Sequence, residues 1–161
     1  MDDRGSTVVV GVDGSAASTV ALRVAFTEAR LRGGEVEMVT AWAWSDDLEA
    51  DRTAYRSGRA WAVAAQVAAL AGVESGSRDR SRVASVIVDD DPAEALTRAG
   101  RGAACIVIGH AHDRHDGQRS VGSRCRELAA CPVMEVPETL RVPGQRRASV
   151  TPGASFAGGP R

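Results

Sequence analysis

The chain has 161 residues, and its composition of 43% hydrophobic and 25% charged residues suits one globular domain that buries a core without metal or disulfide staples. A formal net charge of −1 excludes a global electrostatic pull toward nucleic acid or an anionic membrane surface. All 20 basic residues are arginine, so the chain has neither the lysine of a Walker A loop nor one for Schiff-base chemistry.

The start, MDDRGSTVVV, is acidic with only a short apolar run and lacks the basic and apolar regions of a secretory signal. The Ala-rich stretch from Ala60 to Ala71 is interrupted by Gln66 and too short to span a bilayer. Both observations predict a soluble, cytoplasmic protein without membrane or nucleic-acid partners. Cys105, Cys125 and Cys131 are odd in number and lack C-x-x-C spacing, which suits reduced, mostly buried thiols.

Apolar runs of strand length alternate with helical patterns. Val8 to Val12 is β-branched and almost uniformly apolar, the pattern of a strand buried on both faces. After Asp13-Gly14-Ser15 the spacing changes to a helical one, with Leu22, Ala25, Phe26 and Ala29 on one face and Gly33-Gly34 as the stop. A second strand is expected from Val36 to Ala43. An acidic connection around Asp46-Asp47 and a helix from about Glu49 to Ala71, ended by Gly72, follow it. The packing stripe of that helix reads as Trp61, Ala64, Ala65 and Ala68, with Gly58 a weak point costing about 1 kcal/mol relative to alanine.

Residues 73–82 read as a loop, and a third strand as Val83 to Val88. Asp91-Pro92-Ala93-Glu94 has the form of a helix start: Asp91 as N-cap, Pro92 at the first helical position and Glu94 as reciprocal capping carboxylate, with the helix running to about Arg101. Strand four is Ala104 to Gly109. A short helix then begins near Gly122-Ser123, and Val133 to Val136, bracketed by Pro132 and Pro137, makes a last edge strand. Five strands alternating with four helices define an α/β fold, an open doubly wound parallel sheet with ligands at the carboxyl ends of its strands. Residues 138–161 are rich in Pro, Gly, Ala and Ser and read as a disordered basic tail of net charge +3, leaving −4 on residues 1–137. Arg146-Arg147-Ala148-Ser149 within it matches a basophilic kinase site, although a solvated basic tail with a chance match is the plainer reading.

Three stretches together resemble the universal stress protein family: VVVGVDGS (Val8 to Ser15), DDPAEAL (Asp90 to Leu96), and IVIG-x12-GS followed by CPVMEVP (Ile106 to Pro137). The resemblance covers residues 5–137. It implies a five-stranded sheet of order 3-2-1-4-5 with helices on both faces, of the adenine nucleotide alpha hydrolase-like type, and a homodimer through the last strand, Val133 to Val136. The nucleotide-binding branch of the family carries G-x-x-G-x9-G-[ST] after strand four. On this sequence the motif falls on Gly109, His112 in place of the second glycine, Gly122 and Ser123. The resemblance further implies that Asp13 lies near the base and ribose, that the backbone about Ala41 contacts adenine, and that the ligand is ATP, with Mg²⁺.

A glycine lets backbone approach an oxyanion without a Cβ in the way, which His112 puts at risk. Gly122-Ser123 opening a helix remains an anion site through amide groups and the helix dipole, with Arg119, Arg124 and Arg126 adding positive charge nearby. A turn and cap is the alternative for these two residues, and a strand-end turn is the alternative for Asp13. His110-x-His112-x-x-His115 with Asp113 and Asp116 offers zinc-type donors, but it matches no established zinc spacing, and surface histidines in an adaptable loop explain it more simply. Asp89 and Asp90 read as solvated loop charge, and Trp42, Trp44 and Trp61 as core rather than as the border of an adenine pocket. No G-x-S-x-G elbow appears, and no nucleophile is paired with a histidine by sequence. The expectation is a nucleotide-binding regulatory or stress-response module with at most slow ATP hydrolysis. The alternative is a dimeric, nucleotide-independent partner-binding protein.

Overall fold

A computed structural model describes residues 4–42, 52–74, 82–110 and 119–139. Five parallel strands, β1 (Val8–Gly11), β2 (Val36–Trp42), β3 (Val83–Asp89), β4 (Cys105–Gly109) and β5 (Val133–Val136), form one sheet of order β3-β2-β1-β4-β5. They alternate with helices α1 (Ala16–Arg32), α2 (Arg52–Glu74), α3 (Pro92–Ala99) and α4 (Val121–Leu128), and a short 3₁₀ turn, Arg4–Ser6, precedes β1.

β1 is central because its side chains suit burial on both faces. Val8, Val9 and Val10 are each 0% exposed. Val8 and Val10 face a core with Leu22, Phe26 and Met38 under α1 and α2, whereas Val9 faces a second core with Leu96, Ile106 and Cys125 under α3 and α4. The register places Val8 between Val36 of β2 and Cys105 of β4, so the chain reverses its direction of travel across the sheet at the β1–β4 boundary.

Local signals place the helix ends. Ser15 caps α1 by accepting the Ser18 amide at 3.0 Å. At the other end Gly33 takes φ 63° and the Gly34 amide closes onto the Ala29 carbonyl at 2.8 Å. Asp91 caps α3 as expected, accepting Ala93 and Glu94 amides at 3.0 and 3.1 Å. The reciprocal half of that capping box does not form: the Asp91 amide donates to Asp90, and Glu94 faces Arg124 at 3.8 Å.

Helix α2 departs most from its expected form. It continues through Gly72 to Glu74, and the residues it buries are Ala62, Ala65, Gln66, Ala69 and Val73, while Trp61, Ala64 and Ala68 face outward. The alanine-rich pattern is nearly symmetric around the helix, so the polar Gln66 sets its rotation. The Gln66 amide donates to Thr40 Oγ1 at 3.0 Å and to the Val86 carbonyl at 3.1 Å, its carbonyl accepts the Ser85 hydroxyl, and Thr40 in turn donates to the Val12 carbonyl at 2.7 Å. Gly58 also has a structural reason: a Cβ there would come within 2.6 Å of the Trp42 ring.

Gln66→Ala should destabilise the protein by about 2 kcal/mol, because it leaves buried partners on β2 and β3 unsatisfied. Urea denaturation checks this, and a loss below about 0.5 kcal/mol would mean that Gln66 does not set the helix rotation.

Candidate functional site

The carboxyl ends of β1 and β4 converge where strand order reverses. Asp13 stands two residues beyond β1 and is exposed. Its Oδ1 accepts the Ser15 amide at 3.0 Å and the Ser15 hydroxyl at 2.6 Å, the arrangement of a strand-end turn. Partial desolvation pushes the carboxyl up, but the Ser15 hydrogen bonds outweigh it and hold its pKa below the usual 3.8. Gly14 completes the turn at φ 79° with Ala65 of α2 beside it.

Gly109 ends β4 directly against the first turn of α1. A Cβ at that position would stand 2.5 Å from the Ala17 carbonyl carbon, so only glycine permits the approach. Asp13, through the cap it forms with Ser15, and Gly109, through Ala17, are thus fixed to the same helix start. Ala41 lies at the same end of the sheet on β2, paired with Val88 of β3. His112 lies outside the described residues, as do His115, Asp113, Asp116 and Trp44.

Gly122 and Ser123 sit in the first turn of α4, which begins at Val121 with Ser120 as N-cap. The helix starts one residue before the expected Gly122 because Ser120, the better-placed hydroxyl, takes the Ser123 amide at 3.1 Å. The Ser123 hydroxyl also contacts Ser120 Oγ at 3.1 Å. An anion at this helix start therefore competes with the Ser120 cap for one amide.

The residue that sequence reasoning missed here is Glu135. Its Oε1 lies 2.0 Å from where a Gly122 Cβ would be. Oε2 lies 3.1 Å from His110 Nδ1, and the Arg126 Nε donates to Oε1 at 3.1 Å. One carboxylate thus ties His110, just beyond β4, to the first two turns of α4. Desolvation pushes the Glu135 carboxyl up, but hydrogen bonds from Arg126 and His110 prevail and hold it below the usual 4.5. A charged residue inside the otherwise apolar VMEV strand was the available signal.

The three arginines expected to lend free positive charge are each ion-paired. Arg119 holds Glu127 at 2.6 Å, Arg124 holds Asp91 at 2.6 Å, and Arg126 holds Glu135. The Arg124 hydrogen bond is the main reason that the Asp91 carboxyl lies below its usual value. Among the described residues no group of three or more His, Cys, Asp or Glu is placed to hold a metal, and no helix is long and apolar enough to cross a membrane. A recess of about 490 Å³, lined by Arg4, Ser6, Gly34, Glu35 and Arg82 among others, lies at the opposite, amino-terminal end of the strands. Cys125 is buried on the inner face of α4, which pushes its thiol up to about 11 and leaves it a poor nucleophile.

A family profile described as the universal stress protein family matches residues 6–137. Universal stress protein Rv2623 of Mycobacterium tuberculosis is 34% identical over 138 residues, covering 83% of this chain and 46% of that protein. The chain thus spans about half the length of that curated relative. Among solved structures, UspA from Lactobacillus plantarum superposes with a TM-score of 0.66 at 16% identity, covering 83% of this chain and 98% of that one. A universal stress protein in complex with cAMP gives 0.63 at 24% identity, covering 81% and 95%. A family member from Arabidopsis thaliana with AMP bound gives 0.55 at 16%, covering 81% and 90%. These likenesses establish the same fold.

The depressed pKa of Glu135 has a directional consequence: its ionised form stabilises the fold above the usual carboxylate range, and that contribution is lost as pH falls through the depressed value. The Glu135 carboxyl should titrate below 4.5 by carbon-detected NMR, and Arg126→Gln should move the midpoint upward. An unmoved midpoint would mean that Arg126 does not govern this carboxylate.

Proposed function

The chain belongs to the universal stress protein family, and we propose that it binds an adenine nucleotide, ATP with Mg²⁺, as a regulatory or stress-response module rather than as a catalyst. The carrying observation is that the Asp13 turn and Gly109 meet the same start of α1 at the ends of β1 and β4, while the first turn of α4 packs on Glu135, which also holds His110 just beyond β4. In an open α/β sheet that mouth is where ligands bind.

In this reading the amides at Gly122 and Ser123 receive phosphate oxygens, aided by the helix dipole. Gly109 permits a close backbone approach at the end of β4, His112 occupies the motif position of the second glycine, and Asp13 accepts from ribose hydroxyls or the base. Ala41 offers backbone groups to adenine from the end of β2. Mg²⁺ would offset phosphate charge. That similar folds hold cAMP and AMP agrees with an adenine nucleotide as the ligand class.

A homodimer through β5 accompanies this proposal. Among the described residues Val133–Val136 is an edge strand paired with β4 alone, so its outer side offers backbone groups to a second copy. The same free edge favours the second reading, a nucleotide-independent dimer that binds a protein partner. A cytoplasmic location fits either reading.

Calorimetry with ATP and Mg²⁺ on nucleotide-free protein should give saturable binding near equimolar stoichiometry. Asp13→Ala should weaken it by about tenfold, the loss expected for one charge-assisted hydrogen bond. Absence of binding at millimolar ATP would overturn the nucleotide reading in favour of the nucleotide-independent dimer.

A further inference from the structure

We propose that the outward face of α2 is a self-association surface, on which the same face of a second copy of this chain packs about a two-fold axis. The surface is separate from the β5 edge, because Gln66 fixes α2 to β2 and β3 on the other side of the sheet. It is also independent of the nucleotide reading.

The sequence of α2 sets the problem. From Ala60 to Val73 the helix holds no charged residue, and its one polar side chain, Gln66, is buried. A helix that is apolar all round belongs in an interior, yet the sheet covers only the side with Ala62, Ala65, Gln66, Ala69 and Val73. At about 100° per residue the other positions form one continuous arc. Trp61, Val63 and Val67 stand on it with 49%, 45% and 61% exposure. Ala60, Ala64, Ala68 and Ala71 are exposed between them. Among the described residues no other element exposes more than two large apolar side chains. The arc leaves on the order of 500 Å² of apolar surface in water, the size of the largest patch a typical monomer carries. That is more than half of the roughly 800 Å² that each partner covers in a stable dimer.

Two features select a second copy as the occupant. The arc has no charge to pair, so the surface that matches it is equally uncharged, and its own twin is such a surface. A two-fold contact needs only this one patch. The shape is also self-complementary. Ala60, Ala64 and Ala68 follow the i, i+4, i+8 row and form a low ridge, which lets two helix axes approach to about 8 Å. With the helices antiparallel and the axis midway between Ala64 and Val67, Trp61 on one flank lies over Ala68 of the second copy. On the other flank Val63 meets Val67 of the second copy.

The test is analytical ultracentrifugation of the full chain across the micromolar range, wild type against Val67→Arg. Val67 is exposed, so the variant should keep its circular dichroism and urea midpoint. A guanidinium in the arc would be buried without a partner, and the mass should therefore fall by half. The fall is from dimer to monomer if α2 is the sole contact, and from tetramer to dimer if β5 also pairs. A wild-type dimer that becomes a monomer thus refutes the β5 pairing and keeps the α2 contact. Ala64→Cys should form a disulfide-linked dimer under mild oxidation, whereas Leu31→Cys, also exposed but on α1, should not. That contrast decides the matter should Val67→Arg fail to fold. A monomeric wild type, an unchanged mass in folded Val67→Arg, or equal cross-linking at the two cysteine positions would overturn the proposal.

Discussion

The structure depends on the complete burial of β1. Three consecutive valines at 0% exposure are stable only with a packed layer on each face and a paired strand on each side. Each such side chain contributes about 1.5–3 kcal/mol on burial, so β1 dictates that α1 and α2 cover one face and α3 and α4 the other. With crossovers of one hand, covering both faces forces the chain to leave β1 in one direction and return to its far side at β4. The mouth at the β1–β4 boundary is a consequence of that reversal, and the candidate site is therefore a product of the core.

Two close approaches refine this mouth. Gly109 against Ala17 draws the end of β4 under the start of α1, and Gly122 against Glu135 draws the start of α4 onto β5. Both glycines admit neighbouring atoms that a side chain would exclude. Gly122 consequently serves packing as well as any ligand: a substituent there meets the Glu135 carboxylate first. The site is thus built from helix starts pinned by short hydroxyl caps, Ser15 on α1 and Ser120 on α4, which lend backbone amides their orientation. Ion pairs from Arg124 to Asp91 and from Arg126 to Glu135 fasten α4 to α3 and β5.

Much of the framework was legible in the sequence. Uniform valine in β1, Gly33-Gly34 after α1 and Asp91-Pro92 before α3 each act locally, and each lies where expected. The face of α2 was not legible, since alanine on every side gives no stripe and the buried amide of Gln66 decides its rotation through partners on β2 and β3. Of the candidate site, Asp13, Gly109, Gly122 and Ser123 were readable as strand-end and helix-start residues. Glu135 was not, because its role comes from contacts with His110, Gly122 and Arg126, all distant in sequence. The arginines near α4 looked available for phosphate because sequence proximity conceals that Glu127, Asp91 and Glu135 already hold them.

The central claim is that the mouth between β1 and β4 holds an adenine nucleotide. Backbone amide chemical shifts recorded during an AMP titration test it most directly. The account predicts saturable shifts concentrated at Asp13 to Ser15, Gly109 to His110 and Val121 to Arg124, with the recess beside Arg4 and Arg82 unmoved. Saturable shifts confined to that opposite end, or none at millimolar AMP, would contradict it.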